Sequence, residues 1–327
     1  MPSTNPREAA LRVEDLAVFF HTEGGLARAV DGVSFSLERG RTLALVGESG
    51  SGKSVTALAL LRLHSEPPAE IARGRVWLGE RDLLRLPKEE LRAVRGREMA
   101  MIFQEPMSSL NPLLTIGAQV AEGLVAHGLL GRRAAAARAV ELLDRVGIPE
   151  PAARARAYPH ELSGGMRQRA LIAMALACEP RVLLADEPTT ALDTTVQAQI
   201  LELLREQQRS LGLALLLVTH DFGVVSENAH AVAVMYAGQI VERAETRALL
   251  ATPRHPYTQG LLASVPRLFG PLERLQAIPG SVLPATAWPS GCRFRTRCAL
   301  AHERCAVEEP ALRSLTEEHA VACHAVT

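Results

Sequence analysis

The sequence predicts an α/β protein, and three observations predict it. Apolar runs of buried-strand length recur at residues 42–46, 99–103, 182–185 and 213–219, several of them followed by helix-like chain. Residues 11–20 and 29–37 instead alternate apolar with polar side chains, the period of antiparallel strands with one covered face. Between the first buried strand and a Leu/Ala-rich helix at 55–63 stands Gly47-Glu48-Ser49-Gly50-Ser51-Gly52-Lys53-Ser54, which reads G-x-x-x-x-G-K-S.

That spacing is the phosphate-binding loop of nucleoside triphosphatases, and its flanking strand and helix are the context it needs. The glycines let the backbone fold so that successive N–H groups face phosphate oxygens, and the helix adds the positive end of its dipole. Lys53 supplies a point charge and Ser54 a hydroxyl for Mg2+. The chain holds two lysines, Lys53 and Lys88, against thirty-four arginines, so a compact ammonium stands where this loop requires one.

Composition bounds the rest. With 327 residues, 47% of them apolar, the chain is long enough for two domains or for one large domain plus an extension. A formal net charge of zero gives no nucleic-acid footprint. No apolar window approaches the ~18 residues of a membrane span, and residues 1–10 lack the apolar core of a signal peptide. A soluble cytoplasmic protein is expected. Four of five cysteines fall between Cys292 and Cys323; in a reducing compartment that density points to metal or redox chemistry. Cys178 reads as a buried helix residue without chemistry.

Along the chain, 21–26 is a turn between the first two strands. Phe20 could stack on a base or serve as core, with equal weight. Residues 74–78 form a short strand, and 83–95 a charged turn and helix. The strand 99–103 ends at Gln104, and Pro, Ser and Asn at 105–112 make a loop. A polar amide at the end of a parallel strand faces the crevice where open α/β sheets bind ligands. Residues 116–177 are mostly helical, with a clear helix at 132–146 stopped by Gly147. Leu162-Ser163-Gly164-Gly165 opens another helix, as a second anion site or an ordinary N-cap. The strand from 182 ends in Asp186, able to hold Mg2+, and Glu187, able to orient or deprotonate a water; an acidic helix start is the equal alternative. Asp193 precedes a helix at 197–210. His220 ends the next strand, and 231–236 with 239–242 form a hairpin about Ala237-Gly238.

Taken in order, the phosphate loop, Gln104, LSGGMRQR, LLADE, ALD and His220 resemble an ABC-transporter ATPase over residues 11–243. The resemblance implies a RecA-like P-loop nucleotide-binding domain with an antiparallel β lobe, a helical subdomain at about 108–178, and a small cysteine-rich C-terminal extension; the domains are 1–245 and 246–327. It implies ATP at Phe20 and residues 47–55, that is Gly47, Glu48, Ser49, Gly50, Ser51, Gly52, Lys53, Ser54 and Val55. Mg2+ is implied at Ser54, Gln104 and Asp186, with Glu187 as catalytic base, Gln104 as Q-loop and His220 as switch. Ser163, Gly164, Gly165 and Asp193 are implied to act on the partner subunit's ATP. Phe20 stands where Tyr is more usual.

FQEPMSSLNPLLTIG, ADEPTTALDTTVQAQI, HPYTQGLLASVP and GCRFRTRC narrow the resemblance to the dipeptide/oligopeptide/nickel importer ATPases, closest to the dipeptide-permease branch. That implies an ATP-hydrolysing subunit energising import of di- or oligopeptides. It further implies a second ABC ATPase in a heterodimer, two transmembrane permease subunits, an extracytoplasmic substrate-binding protein, no nucleic acid, and a peripheral place on the cytoplasmic face of the membrane. The alternatives are nickel complexes or another small solute, or a soluble redox-regulated ATPase. Cys292, Cys298, Cys305 and Cys323 are separated by five, six and seventeen residues, a spacing that favours neither zinc nor iron. The subfamily resemblance implies one [4Fe–4S] cluster, with zinc as the alternative.

Overall fold

The computed structural model describes residues 9–190, 192–264 and 277–326. The chain divides into two compact units, one of residues 1–38, 42–85 and 217–327, the other of 39–41 and 86–216.

The first unit opens with the strands Ala9–Thr22 and Gly25–Glu38, each of 14 residues and paired antiparallel from Ala9↔Glu38 to Thr22↔Gly25. Ala69–Leu78 pairs antiparallel on the other side of the first strand, and Arg81–Asp82 adds the edge. These strands are longer than expected. Register shifts interrupt the pairing on both sides of Leu16, and Asp15 adopts φ 45°; such bulges break the period-2 alternation that marks a strand in sequence. A second group of strands starts from Thr42–Val46, buried at all five positions. It pairs parallel with Ala231–Tyr236, as continuous apolar runs covered on both faces do. The expected hairpin follows: Ala231–Tyr236 turns through Ala237 and Gly238, at φ 48° and 83°, into Gln239–Glu245.

The C-terminal region joins this unit. His319–Val321 adds an antiparallel strand to Gln239–Glu245, and Arg313–Ser314 adds another outside it. The helix Pro256–Ala263 starts on His255, whose imidazole caps it. Tyr236, Tyr257 and Phe294 pack ring on ring at centroid distances of 4.7 to 5.4 Å, in one core with Val46, Val234 and Phe222.

The second unit carries the parallel pair Met99–Ile102 and Val182–Asp186. The unit also holds the helices Ile116–Ala126, Arg132–Arg145, Gly164–Leu176 and Thr194–Leu211; Gly164–Leu176 packs on Met99–Ile102 and the other three pack against Gly164–Leu176. Arg132–Arg145 buries Ala135, Ala139, Leu142 and Leu143, a stripe at helical spacing. Gly147 at φ 74° lies just past its end as expected. Inside the expected loop at 105–112, Pro106–Ser109 forms one helical turn. Cys178 lies half-buried in the turn beyond Leu176 rather than in the helix, and burial raises its thiol pKa. The strand Ala214–Thr219, buried at every position, carries the chain from the second unit back to the first.

Candidate functional site

In the first unit the loop from Gly47 to Ser54 leaves the Thr42–Val46 strand and enters the helix Lys53–Leu60. Gly47, Gly50 and Gly52 take φ of 156°, 79° and 103°. At Gly47 a Cβ would stand 2.2 Å from the Met235 carbonyl oxygen, and at Gly52 one would stand 2.5 Å from that of Ala29. These two positions exclude any side chain, so the loop can thread only as glycine. Ser49 and Gly50 are exposed, Ser54 and Val55 half-buried, and Ser51 fully buried. Lys53 is buried, its Nζ donating to the carbonyls of Gly47 at 2.8 Å and Glu48 at 3.0 Å. A helix start also presents N–H groups that its own carbonyls do not use. Lone-pair-rich anions are what such a nest attracts.

Phe20 is half-buried, with its ring edge-on to His64 at 5.4 Å between centroids. His220 is exposed just past the strand that ends at Thr219. Glu48 has partners the sequence did not reveal. Its backbone N–H donates to the Tyr257 hydroxyl at 2.8 Å, and its carboxylate accepts from Arg297 Nη1 at 2.6 Å and Nη2 at 3.0 Å. HPY and GCRFRTRC were visible as motifs, but nothing in either points back to the loop.

In the second unit, Val182–Asp186 ends with Asp186 buried. Glu187 follows at φ 45°, a left-handed conformation that a non-glycine residue adopts at a cost. Its Oε2 accepts from Gln104 Nε2 at 3.1 Å and from Thr190 Oγ1 at 2.9 Å. Two residues expected to work together are thus in contact. Their donor set of carboxylates and an amide oxygen is hard, the chemistry that suits Mg2+.

Ser163 caps the helix Gly164–Leu176 by accepting from Met166 N–H at 3.3 Å, and Asp193 caps Thr194–Leu211 by accepting from Val196 N–H at 2.9 Å. Ser163, Gly164 and Asp193 are exposed. A Cβ at Gly165 would lie 2.9 Å from Val196 Cγ1, so that glycine is needed for packing inside the unit. The second-unit residues are therefore brought together in two places, Gln104 with Glu187, and Gly165 against the helix that Asp193 caps.

The tail cysteines differ from expectation. All five cysteines of the chain are free thiols. Burial pushes the Cys292 thiol up to about 11, opposed by the Phe294 backbone N–H and reinforced by Cys305, Cys298 and Cys323 nearby. Burial raises Cys298 likewise. Yet among the described residues no group of three or more His, Cys, Asp or Glu side chains could hold a metal ion. The expected [4Fe–4S] or zinc site is not supported: the four side chains share a neighbourhood without converging on one centre, and Cys292 and Cys298 pack beside the apolar core instead.

Residues 30–190 match the family described as ABC transporter, and 241–305 match that described as oligopeptide/dipeptide transporter, C-terminal region. The dipeptide transport ATP-binding protein DppD of Escherichia coli (strain K12) is 48% identical over 97% of this chain and 96% of its own length. The oligopeptide transport ATP-binding protein OppD of Bacillus subtilis (strain 168) is 50% identical over 95% of this chain and 87% of its own. A solved dimeric structure of the ATP-binding cassette MJ0796 in a post-hydrolysis state, bound to ADP and Pi, superposes with a TM-score of 0.65 at 27% identity, over 72% of this chain and 99% of that one. Among the described residues no helix is long and apolar enough to cross a membrane.

Proposed function

The chain belongs to the ABC transporter family, in its oligopeptide/dipeptide branch, and we propose that it hydrolyses ATP to drive import of di- or oligopeptides through membrane permeases served by a substrate-binding protein. The ATPase activity and the peptide-import role follow from near-full-length similarity to subunits of that name. Nickel complexes, other solutes and a transport-independent redox ATPase are not favoured. The finer assignments are a heterodimer with a second ATPase, two permease subunits, and a peripheral place on the cytoplasmic membrane face. What supports the last is the absence, among the described residues, of a membrane-spanning helix together with the family.

The roles proposed for the site residues are as follows. The loop 47–55 takes the phosphates on its N–H groups and Lys53, and Phe20 offers a ring face to the base. Ser54, Gln104 and Asp186 carry hard oxygen donors that would hold Mg2+, and the ion would supply positive charge against the phosphate oxygens. Glu187 acts as base, orienting and deprotonating the attacking water, with Gln104 and Thr190 fixing its carboxylate. His220 contacts the γ-phosphate as switch. Ser163, Gly164, Gly165 and Asp193 act on the partner's ATP. The nucleotide-binding domain is taken as 1–245, with 246–327 as accessory region.

The observation that carries the reading is Glu187, at φ 45° just past a strand end with its carboxylate held by two side-chain donors. In the assembled transporter, Glu187→Gln should keep ATP binding and lose turnover by at least about a hundredfold. Near-normal turnover removes Glu187 as base.

For the tail, the finer reading is that Cys292, Cys298, Cys305 and Cys323 hold a [4Fe–4S] cluster, or zinc in its place. The four thiols act on one another electrostatically, and the reading requires their side chains to turn onto one centre. Anaerobic purification with metal analysis and visible absorbance tests it: iron with a broad visible band is expected, a colourless zinc protein leaves only the four-thiolate site, and a metal-free chain refutes both.

A further inference from the structure

We propose that the C-terminal region sets the geometry of the phosphate loop, with Arg297 and Tyr257 as positioning residues acting through Glu48. This rests on the reading of 47–55 as the ATP site. A loop built on glycines at positive φ has little side-chain packing of its own to hold its shape. Glu48 is its handle. Arg297 Nη1 and Nη2 reach the two Glu48 carboxylate oxygens, while the Tyr257 hydroxyl takes the Glu48 backbone N–H. One residue is thereby fixed at its carboxylate and its amide, and its carbonyl seats Lys53 at 3.0 Å.

The two tail residues are themselves rigid. The Arg297 side chain is 3% exposed, its Nε donates to the Pro279 carbonyl at 2.8 Å, and its guanidinium lies over the Tyr236 ring at 5.8 Å. A buried, bidentate fork fixes direction as well as distance. Tyr257 is fully buried between Tyr236 and Phe294. His255 Nδ1 accepts the Tyr257 backbone N–H at 3.0 Å, which sets the helical turn that aims the phenol. The tail also docks away from the loop. It has separate anchors, Arg293 on Asp31 at 2.5 Å and Trp288 Nε1 on the Arg28 carbonyl at 3.1 Å.

The test measures equilibrium ATP binding to the full chain, and KM and kcat for ATP in the assembled transporter, for Arg297→Met, Arg297→Lys, Glu48→Gln, Tyr257→Phe and the Arg297→Met/Glu48→Gln double variant. Arg304→Ala, on an exposed tail ion pair with Glu308, is the control. Arg297→Met and Glu48→Gln should each weaken ATP binding about tenfold, with KM rising more than kcat falls. Arg297→Lys should recover part of the loss, Tyr257→Phe should show a smaller one, and the double variant should be no worse than the worse single. If Arg297→Met does not fold, Glu48→Gln and Tyr257→Phe decide, since both leave the guanidinium and the aromatic packing in place. Affinities within about twofold of the unsubstituted chain, additive losses in the double variant, or a fall in kcat at constant KM overturn the proposal. An unsubstituted chain that binds no ATP overturns the functional reading along with it.

Discussion

The ammonium of Lys53 rests on two carbonyls of its own loop, at 2.8 and 3.0 Å. A compact charge on a flexible stem can turn from these to an incoming phosphate without moving the backbone. Lys53→Ala removes that charge-assisted contact and leaves two loop carbonyls without it. ATP affinity should fall by about one to two orders of magnitude, read by equilibrium binding to the full chain, and unchanged affinity refutes the phosphate-loop assignment. At this scale, what could be read in the sequence was local. Lys53 follows from the spacing of a single loop, and Gln104 and Glu187 from their places at strand ends. The partners of Glu48 lie 209 and 249 positions away, and no periodicity or spacing rule spans that distance.

The helix Gly164–Leu176 shows how one element can carry two constraints. Its cap, Ser163, is exposed and accepts a weak 3.3 Å bond from Met166, whereas Gly165 abuts Val196 so closely that a Cβ would stand 2.9 Å from it. Exposure of the cap fits a surface that meets another subunit; the close Gly165–Val196 contact, between half-buried residues, is structural. Ser163→Arg should therefore leave ATP binding to the isolated chain within about twofold and abolish turnover in the assembled transporter. The same two assays check it, and loss of binding as deep as for Lys53→Ala refutes action in trans. Elements were legible where their pattern was regular. The Thr42–Val46, Val182–Asp186 and Ala214–Thr219 strands are buried at every position and read as continuous apolar runs. Of Ala69–Leu78 only 74–78 was legible, because exposed Glu70, Ala72, Arg73 and Arg75 interrupt its pattern, although Ala69, Val76 and Leu78 are buried and it pairs along the first strand. The helix Thr194–Leu211 starts three residues earlier than the sequence predicts, because Asp193 caps it.

At the scale of the whole molecule, the residues that tie the C-terminal region into the first unit are polar and buried, which hides them from hydropathy. Glu242 is fully buried on Gln239–Glu245. It accepts from the backbone N–H groups of Arg254 at 2.6 Å and His255 at 3.0 Å, and from His319 Nε2 at 2.7 Å. A single carboxylate thus gathers the start of the Pro256–Ala263 helix and the last strand, and losing any one partner leaves buried charge under-satisfied. His255 sits beside it at 1% exposure, and burial lowers its pKa to about 4, partly offset by its bond to the Ala322 backbone. The folded chain therefore resists protonating a histidine that the unfolded chain protonates near its ordinary value. Between those two values the unfolded state holds more protons, so the stability His255 contributes is full above pH ~6.5 and is lost as pH falls toward ~4. From pH 7 to pH 5 this amounts to about 2 kcal/mol. His255→Asn retains a side-chain oxygen to cap the helix and cannot titrate. Urea denaturation at the two pH values should show that loss in the unsubstituted chain and a correspondingly flatter profile in the variant; equal pH dependence in both means that His255 is not held neutral by burial and that acid releases the tail through another group.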